Sequence, residues 1–167
     1  MLIVYTGNGK GKTSACIGQA LRAMGQGMTV AFGQFMKRDG QSGEQRLLKQ
    51  MLGTFFFAGG EGFFRHEQDR ERHRAAALKT LAWATAILPG VDMLILDETL
   101  YAFNAALLTK SEVENLIALS AGQNRHLVLS GRDAPDWIVQ SADIVTEMLE
   151  IKHPCRNGLN AAPGIEF

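Results

Sequence analysis

Short apolar runs alternate along this chain with longer stretches whose apolar positions recur at helical spacing. The first run, Leu2 to Thr6 (LIVYT), reads as a buried strand. Behind it Ile17, Leu21 and Met24 recur at helical spacing, so they are expected to form the inner face of a helix that Gly25 and Gly27 stop. Met28–Phe35 is the second predicted strand and Thr54–Gly59 the third. A long helix is expected from His66 onward, with Leu78, Leu81, Ala82, Thr85 and Leu88 on one face and Pro89-Gly90 ending it. Val91–Glu98 is a strand with an acidic end. Ser111 with Glu114 reads as a capping box ahead of Val113, Leu116 and Ile117. Two last strands, His126–Gly131 and Ala142–Ile151, flank a short helix around Asp136–Gln140.

Strands alternating with amphipathic helices favour a parallel sheet covered on both faces, here a three-layer α/β/α sandwich of about six mostly parallel strands. No repeat, low-complexity tract or linker divides the chain, so residues 1–167 are expected to form one domain.

Charge narrows the partners. The 17 basic and 17 acidic side chains cancel, which removes the global field that would hold nucleic acid; any anion must be bound locally. No apolar stretch reaches the roughly 18 residues of a membrane span, since Lys79 and Thr80 interrupt the richest one. The glycine loop stands where the leader of a signal peptide would be, so a cytoplasmic protein is expected. Two cysteines, Cys16 and Cys155, are too few for a disulfide framework or zinc cage. Cys16 reads as core filler and Cys155 is given no redox role. His66, His73, His126 and His153 lack ligand spacing, and the alternating signs of Asp69–Arg74 (DRERHR) describe a solvated helix face.

The local anion site is Tyr5–Gly18, YTGNGKGKTSACIG. Glycines let a backbone turn through positive φ and approach a ligand closely, and free N–H groups can surround phosphate oxygens. The helix opening near Lys12 adds its positive dipole end. In this P-loop, Gly7, Asn8, Gly9, Lys10, Gly11 and Ser14 line the cradle, Lys12 supplies a point charge to the phosphates, and the Thr13 hydroxyl is placed for Mg²⁺. The fold expected is therefore P-loop NTPase-like. The usual pattern has glycine five residues before the Gly-Lys pair; here that residue is Thr6, and Lys10 is a second lysine within the loop.

A magnesium–triphosphate site needs a carboxylate at the end of a neighbouring strand. Asp97 and Glu98 close the LILDE run, and spacing leaves open which of them meets the ion. As residues before a further segment they also suit a helix-capping role.

With both sites placed, the sequence resembles the P-loop ATP:corrinoid adenosyltransferases over nearly its whole length. The resemblance rests on TGNGKGKTSA, AFGQFMK, the GEGF loop, LILDE, LVLSGRDAP, ADIVTEM and the ending KHPCRNGLNAAPGIEF. It implies that ATP binds reversed in the loop, and that cobalt in the Co(I) state of a corrinoid (cobalamin or cob(I)yrinic acid a,c-diamide) attacks C5′ of the ribose. Intact triphosphate then leaves, in coenzyme B12 biosynthesis or salvage. Lys12, the loop N–H groups, and Mg²⁺ on Thr13 and Glu98 would neutralise the leaving group, so Lys12 and Glu98 are the catalytic candidates.

By family position Arg132, in SGRD, is a second cation near the phosphates, or a surface arginine after a strand. Phe63, in the glycine-rich loop, aligns with an aromatic that packs on the corrin and helps expel its lower axial ligand; plain burial is the alternative for Phe63 and Phe64. Where relatives carry a tryptophan two residues later this chain has Arg65, which can stack on a flat face or meet a corrin amide. Relatives also carry a polar leader before the first strand, so a corrinoid site that is more open, or closed by other elements, is expected here. A reductase and a homodimer are the partners the family implies. A P-loop kinase or ATPase and an ATP-dependent corrinoid carrier with little turnover are the competing functions. A transferase releases triphosphate and makes a cobalt–carbon bond, a kinase yields ADP, and a carrier yields neither.

Overall fold

A computed structural model describes residues 1–158 and 160–166, with the side chains of Cys155 and Asn157 also outside the description. Six strands form one sheet in the order β3-β2-β4-β5-β1-β6, every pairing parallel. They are β1 (Leu2–Thr6), β2 (Val30–Gln34), β3 (Phe56–Ala58), β4 (Met93–Asp97), β5 (His126–Ser130) and β6 (Ile144–Glu147). The helices are α1 (Lys12–Gly25), α2 (Gly43–Leu52), α3 (Arg70–Ile87), α4 (Thr99–Asn104), α5 (Lys110–Gly122) and α6 (Asp136–Ser141). This is the α/β, P-loop NTPase-like architecture expected. Parallel pairing brings the carboxyl ends of the strands to one edge, so Thr6, Gln34, Asp97 and Ser130 come together there.

The period-two alternation of the buried strands divides the core between the faces. Leu94, Leu96, Leu127 and Leu129 point to the layer holding Ala77, Ala84, Leu100 and Leu116. Met93, Ile95, Val128 and Phe32 point to the layer holding Cys16, Ala20 and Leu48. Strand β6 is the exception: it lies at an edge of the sheet and is exposed along its length.

Helix faces depart from the hydrophobic pattern. In α1 the buried positions are Lys12, Cys16, Ala20 and Ala23, while Leu21 is exposed and Ile17 and Met24 are half-buried. In α3 they are His73, Ala77, Thr80 and Ala84; Leu78, Ala82 and Thr85 are exposed, and of the expected face only Leu81 and Leu88 turn inward. Small side chains let both helices lie close to the sheet, and Thr80 donates its hydroxyl to Ala76 O at 3.1 Å, so its burial costs no unpaired group.

Two helices lie where no element was expected. Helix α2 is mostly polar, and its inner residues include Gln45. Helix α4 follows directly on Glu98. The capping box of α5 sits two residues ahead of the expected one: Thr109 N–H donates to Glu112 Oε2 at 2.8 Å, and Glu112 N–H to Thr109 Oγ1 at 3.3 Å. Strands β2 and β3 are shorter than their apolar runs, and β6 stops at Glu147 rather than Ile151.

The charged start of α3 is a solvated face with partners: Arg70 pairs with Glu67 and Arg72 with Asp69. Arg74 reaches further. Its guanidinium meets Glu112 at 2.5 and 2.7 Å and Leu107 O at 2.7 Å, joining α3 to the start of α5. The Arg74 hydrogen bonds hold the Glu112 carboxyl down at about 2. A depressed carboxyl stabilises the fold above its unfolded value, about 4.3, and loses that contribution as pH falls through its folded value. Glu112→Gln is therefore expected to cost about 1 kcal/mol near neutral pH, a bidentate pair discounted for partial exposure. Denaturant titrations at several pH values should show the gap between wild type and variant closing between about pH 4.5 and 2; a gap independent of pH would contradict the assignment.

Candidate functional site

The P-loop follows β1 and is built against the segment after β6. Gly7 has φ +94°, and a β-carbon there would lie 2.4 Å from Met148 O. At Gly9 a β-carbon would lie 2.7 Å from Leu149 O, and its N–H donates to Met148 O at 2.7 Å. Glycine is required at both positions by close backbone approach. Helix α1 begins at Lys12, and Gly11 before it offers no capping side chain, which leaves the first N–H groups of the helix to an anion. Lys12 is buried and folds back on its own loop, donating to Gly7 O at 2.7 Å and Gly9 O at 2.8 Å. Burial pushes its ammonium pKa down; Glu98 opposes this and Arg132 adds to it.

Thr6, which stands where the usual loop has glycine, has a contact of its own. Its hydroxyl accepts from Ala134 N at 3.1 Å, holding the loop after β5 against the P-loop. Asn104 secures the same loop, donating its side-chain amide to the carbonyls of Arg132 and Asp133, both at 3.0 Å.

Behind the P-loop lies Asp97, with no solvent exposure. Its carboxylate accepts from Ser130 Oγ at 2.7 Å, Gln34 Nε2 at 3.2 Å and Thr13 Oγ1 at 3.1 Å, and Lys37 Nζ lies 3.4 Å away. Ser130 Oγ also accepts from Glu98 N at 3.1 Å. Glu98 takes a left-handed conformation, φ 62°, as the chain leaves the strand, and its side chain faces the cavity over the loop. Burial and then the neighbouring Asp97 raise its carboxyl to about 7, against the pull of Lys12 and Lys37.

Oxygen donors are thus assembled for a hard cation. Thr13 and Glu98 both line the cavity, and behind them Asp97 accepts from the Thr13 hydroxyl at 3.1 Å, which leaves the hydroxyl oxygen's lone pairs for an ion. Among the described residues no cluster of three or more His, Cys, Asp or Glu side chains forms a cage for a metal. One hydroxyl and one or two carboxylates, with phosphates and waters completing the shell, is the usual protein share of a magnesium–nucleotide site. The residues present fit that ion.

The cavity measures about 630 Å³ and joins two chemistries. Asn8, Lys10, Thr13 and Ser14 form its polar floor with Lys12, and Arg132 reaches it from the loop after β5. On the far side stand Phe63 and Tyr101, their rings edge to face at 5.5 Å, and the Tyr101 hydroxyl donates to Phe64 O at 3.2 Å. Ile165 and Glu166 bring part of the terminal segment to the rim; Leu159 and Phe167 of that segment are outside the described residues. Phe63 is 54% exposed, so burial does not account for it, whereas Phe64 is half-buried under Arg70 and against His73. Arg65 is exposed and does not line the cavity.

Five residues of the site have no counterpart among the sequence candidates: Gln34, Lys37, Glu44, Tyr101 and Ser130. Lys37 Nζ pairs with Glu44 Oε1 at 2.7 Å. Burial works against both charges, yet their mutual attraction wins: Glu44 is held at about 2, and Lys37 is raised by Asp97 and Glu44 together. The available signal was the Ser42-Gln45 spacing, which marks the start of α2 and hence the position of Glu44. Gln45 completes it, its side-chain oxygen accepting from Gln41 N at 2.9 Å and its amide donating to Gln34 Oε1 at 2.8 Å.

The chain resembles the curated corrinoid adenosyltransferase of Sinorhizobium sp, 37% identical over all of this chain and 80% of that one. It is 36% identical to the corrinoid adenosyltransferase of Pseudomonas aeruginosa, covering 83% of it, and 35% identical to corrinoid adenosyltransferase CobA of Salmonella typhimurium, covering 85%. The fold alone is shared with the flagellar accessory protein FlaH of Methanocaldococcus jannaschii, with a TM-score of 0.54 at 11% identity over 87% of this chain and 69% of that one. The family model described as ATP:corrinoid adenosyltransferase BtuR/CobO/CobP matches residues 1–167, and the chain belongs to that family.

Proposed function

We propose that this protein transfers the 5′-deoxyadenosyl group of ATP to the Co(I) centre of a corrinoid and releases triphosphate. The observation that carries the reading is the continuity of one cavity from Lys12 and Thr13 at the phosphate end to Phe63 and Tyr101 at the aromatic end. A triphosphate on the loop would leave the ribose facing the aromatic side, where a flat macrocycle has a surface to lie on.

The chemistry asks for charge neutralisation and alignment. The cobalt electron pair becomes the bond to C5′ while the C5′–O bond breaks, and the electron pair of that broken bond departs on the triphosphate oxygen. No proton moves, so no general base is required of the site. Lys12 leaves the Gly7 and Gly9 carbonyls for phosphate oxygens, and Arg132 offers a second positive charge from its anchored loop. The loop backbone is held by Gly9 N–H donating to Met148 O and Met148 N–H donating to Thr6 O, so its remaining N–H groups need little reorganisation as charge develops. Thr13 and Glu98 would hold Mg²⁺, with Asp97 behind Thr13 orienting its hydroxyl; the ion would supply further positive charge to the leaving triphosphate. Phe63 would lie against the corrin, its ring braced edge to face by Tyr101. The same reading carries a cytoplasmic setting and a reductant, a reductase in the family pattern, that brings the cobalt to Co(I).

Incubating the protein with ATP, Mg²⁺ and chemically reduced cob(I)alamin tests this directly. The visible spectrum should change to that of an alkylated cobalt, with inorganic triphosphate formed in equal amount; ADP as the sole nucleotide product would overturn it. Lys12→Ala is expected to lower the rate of cobalt–carbon bond formation by about 10²- to 10³-fold, the scale of one lost transition-state contact; near-normal turnover would remove Lys12 from the mechanism. Phe63→Ala should raise KM for the corrinoid about three- to tenfold, the range of one aromatic contact, with KM for ATP unchanged. A rise in the ATP value alone would place Phe63 elsewhere.

A further inference from the structure

Lys37 occupies a position that the loop motif does not explain. Its ammonium lies 3.3 Å from Thr13 Oγ1, 3.4 Å from Asp97 Oδ2 and 2.7 Å from Glu44 Oε1. The first two are the hydroxyl and carboxylate that a magnesium–nucleotide site brings together. A divalent ion meeting Thr13 would therefore crowd an existing positive charge, and two cations in contact repel strongly in a partly buried site.

Its two anionic partners are held independently of it. Gln34 Nε2 donates to Asp97 Oδ2 at 3.2 Å and to Glu44 Oε1 at 3.3 Å, so one amide fixes the two carboxylates as a pair. Ser130 holds the other Asp97 oxygen, and Ser42 Oγ donates to Glu44 Oε1 at 2.8 Å. Two carboxylates against one ammonium leave a negative charge uncompensated among them. Lys37 is also not sealed in: its side chain is 23% exposed and lines the cavity, so a flexible four-carbon stem can carry the charge from the carboxylates to a ligand in the cavity.

We propose that Lys37 is a tethered substitute for the divalent cation. With the loop empty, its ammonium offsets the charge of Asp97 and Glu44 beside Thr13 and excludes free Mg²⁺. When a metal–triphosphate enters, the phosphates offer the ammonium a new anionic partner, Lys37 turns toward them, and the Thr13 hydroxyl becomes available to the metal. Metal binding is thereby made conditional on the triphosphate, and the pre-assembled site does not depend on metal in its absence. Lys37 acts here as a positioning residue. The proposal rests on the metal–triphosphate reading of the loop, but its test needs neither corrinoid nor turnover, so the two can fail separately.

Mn²⁺, a paramagnetic analogue of Mg²⁺, is titrated into nucleotide-free protein and followed by electron paramagnetic resonance. Wild type and Lys37→Arg are expected to bind it weakly, and Lys37→Met at least about tenfold more tightly, a conservative scale for removing one like charge in contact. Thermal melts give a second measure. Lys37→Met should melt below wild type in chelator and recover on adding Mg²⁺, whereas the wild-type midpoint should not respond until inorganic triphosphate is added with the metal. Equal Mn²⁺ affinity in wild type and Lys37→Met, or a Lys37→Met midpoint indifferent to Mg²⁺, would overturn the proposal.

Discussion

The carboxylate of Asp97 is the constraint on which the arrangement of the site depends. It is wholly buried, and a buried charge is tolerated only when surrounding groups replace the hydration it has lost. Those groups come from separate elements: Thr13 from the first turn of α1, Gln34 from the end of β2, Ser130 from the end of β5, and the Lys37 ammonium from the segment beyond β2. Satisfying one carboxylate therefore fixes the relative positions of the P-loop helix and three strand ends. Parallel pairing makes this economical, because it delivers all those ends to one edge.

From that node the site divides into a fixed part and a responsive part. The P-loop backbone is fixed, wedged against Met148 and Leu149 at glycines that leave no room for a side chain. Lys12 and Lys37 form the responsive part as we propose it: each is satisfied by oxygens of the protein, and each would exchange them for phosphate oxygens. Glu98, raised to about 7 by its burial and then by Asp97, gains from any cation brought to the site. A corrinoid adenosyltransferase needs this combination, since its substrate arrives and its triphosphate departs with several negative charges. The Thr6 hydroxyl extends the fixed part to the loop of Arg132, so the residue that departs from the usual motif ties a second cation to the first.

Much of this was legible along the chain, where the information is local. Glycines before Lys12 and Thr13, and acids at the end of an apolar strand, occupy consecutive positions, and the alternation of strands and helices follows from short windows. The helix faces were misread because Cys16, Ala20, Ala23, Ala77, Thr80 and Ala84 are small. Such residues carry weak hydrophobic signals yet permit close packing on a sheet, while larger Leu21 and Leu78 remain in solvent. Helix α2 was invisible to apolar periodicity because its inner side includes Gln45, whose burial is balanced by hydrogen bonds that only the folded chain provides. For the same reason Lys37 and Glu44 could not be paired with Asp97 from spacing. Their chemistry exists only once β2 and β4 lie side by side.

The central claim is that the Asp97-centred site grips ATP by its phosphates and turns the sugar toward the aromatic end of the cavity. The most direct measurement is a crystal structure with Mg²⁺, a non-reactive ATP analogue and a Co(II) corrinoid. The account predicts phosphate oxygens on backbone N–H groups of residues 10–14 and on Lys12, with Asp97 still accepting from Gln34 and Ser130 and C5′ facing cobalt over Phe63. A nucleotide whose ribose points away from Phe63, or whose phosphates lie outside the loop, would contradict it.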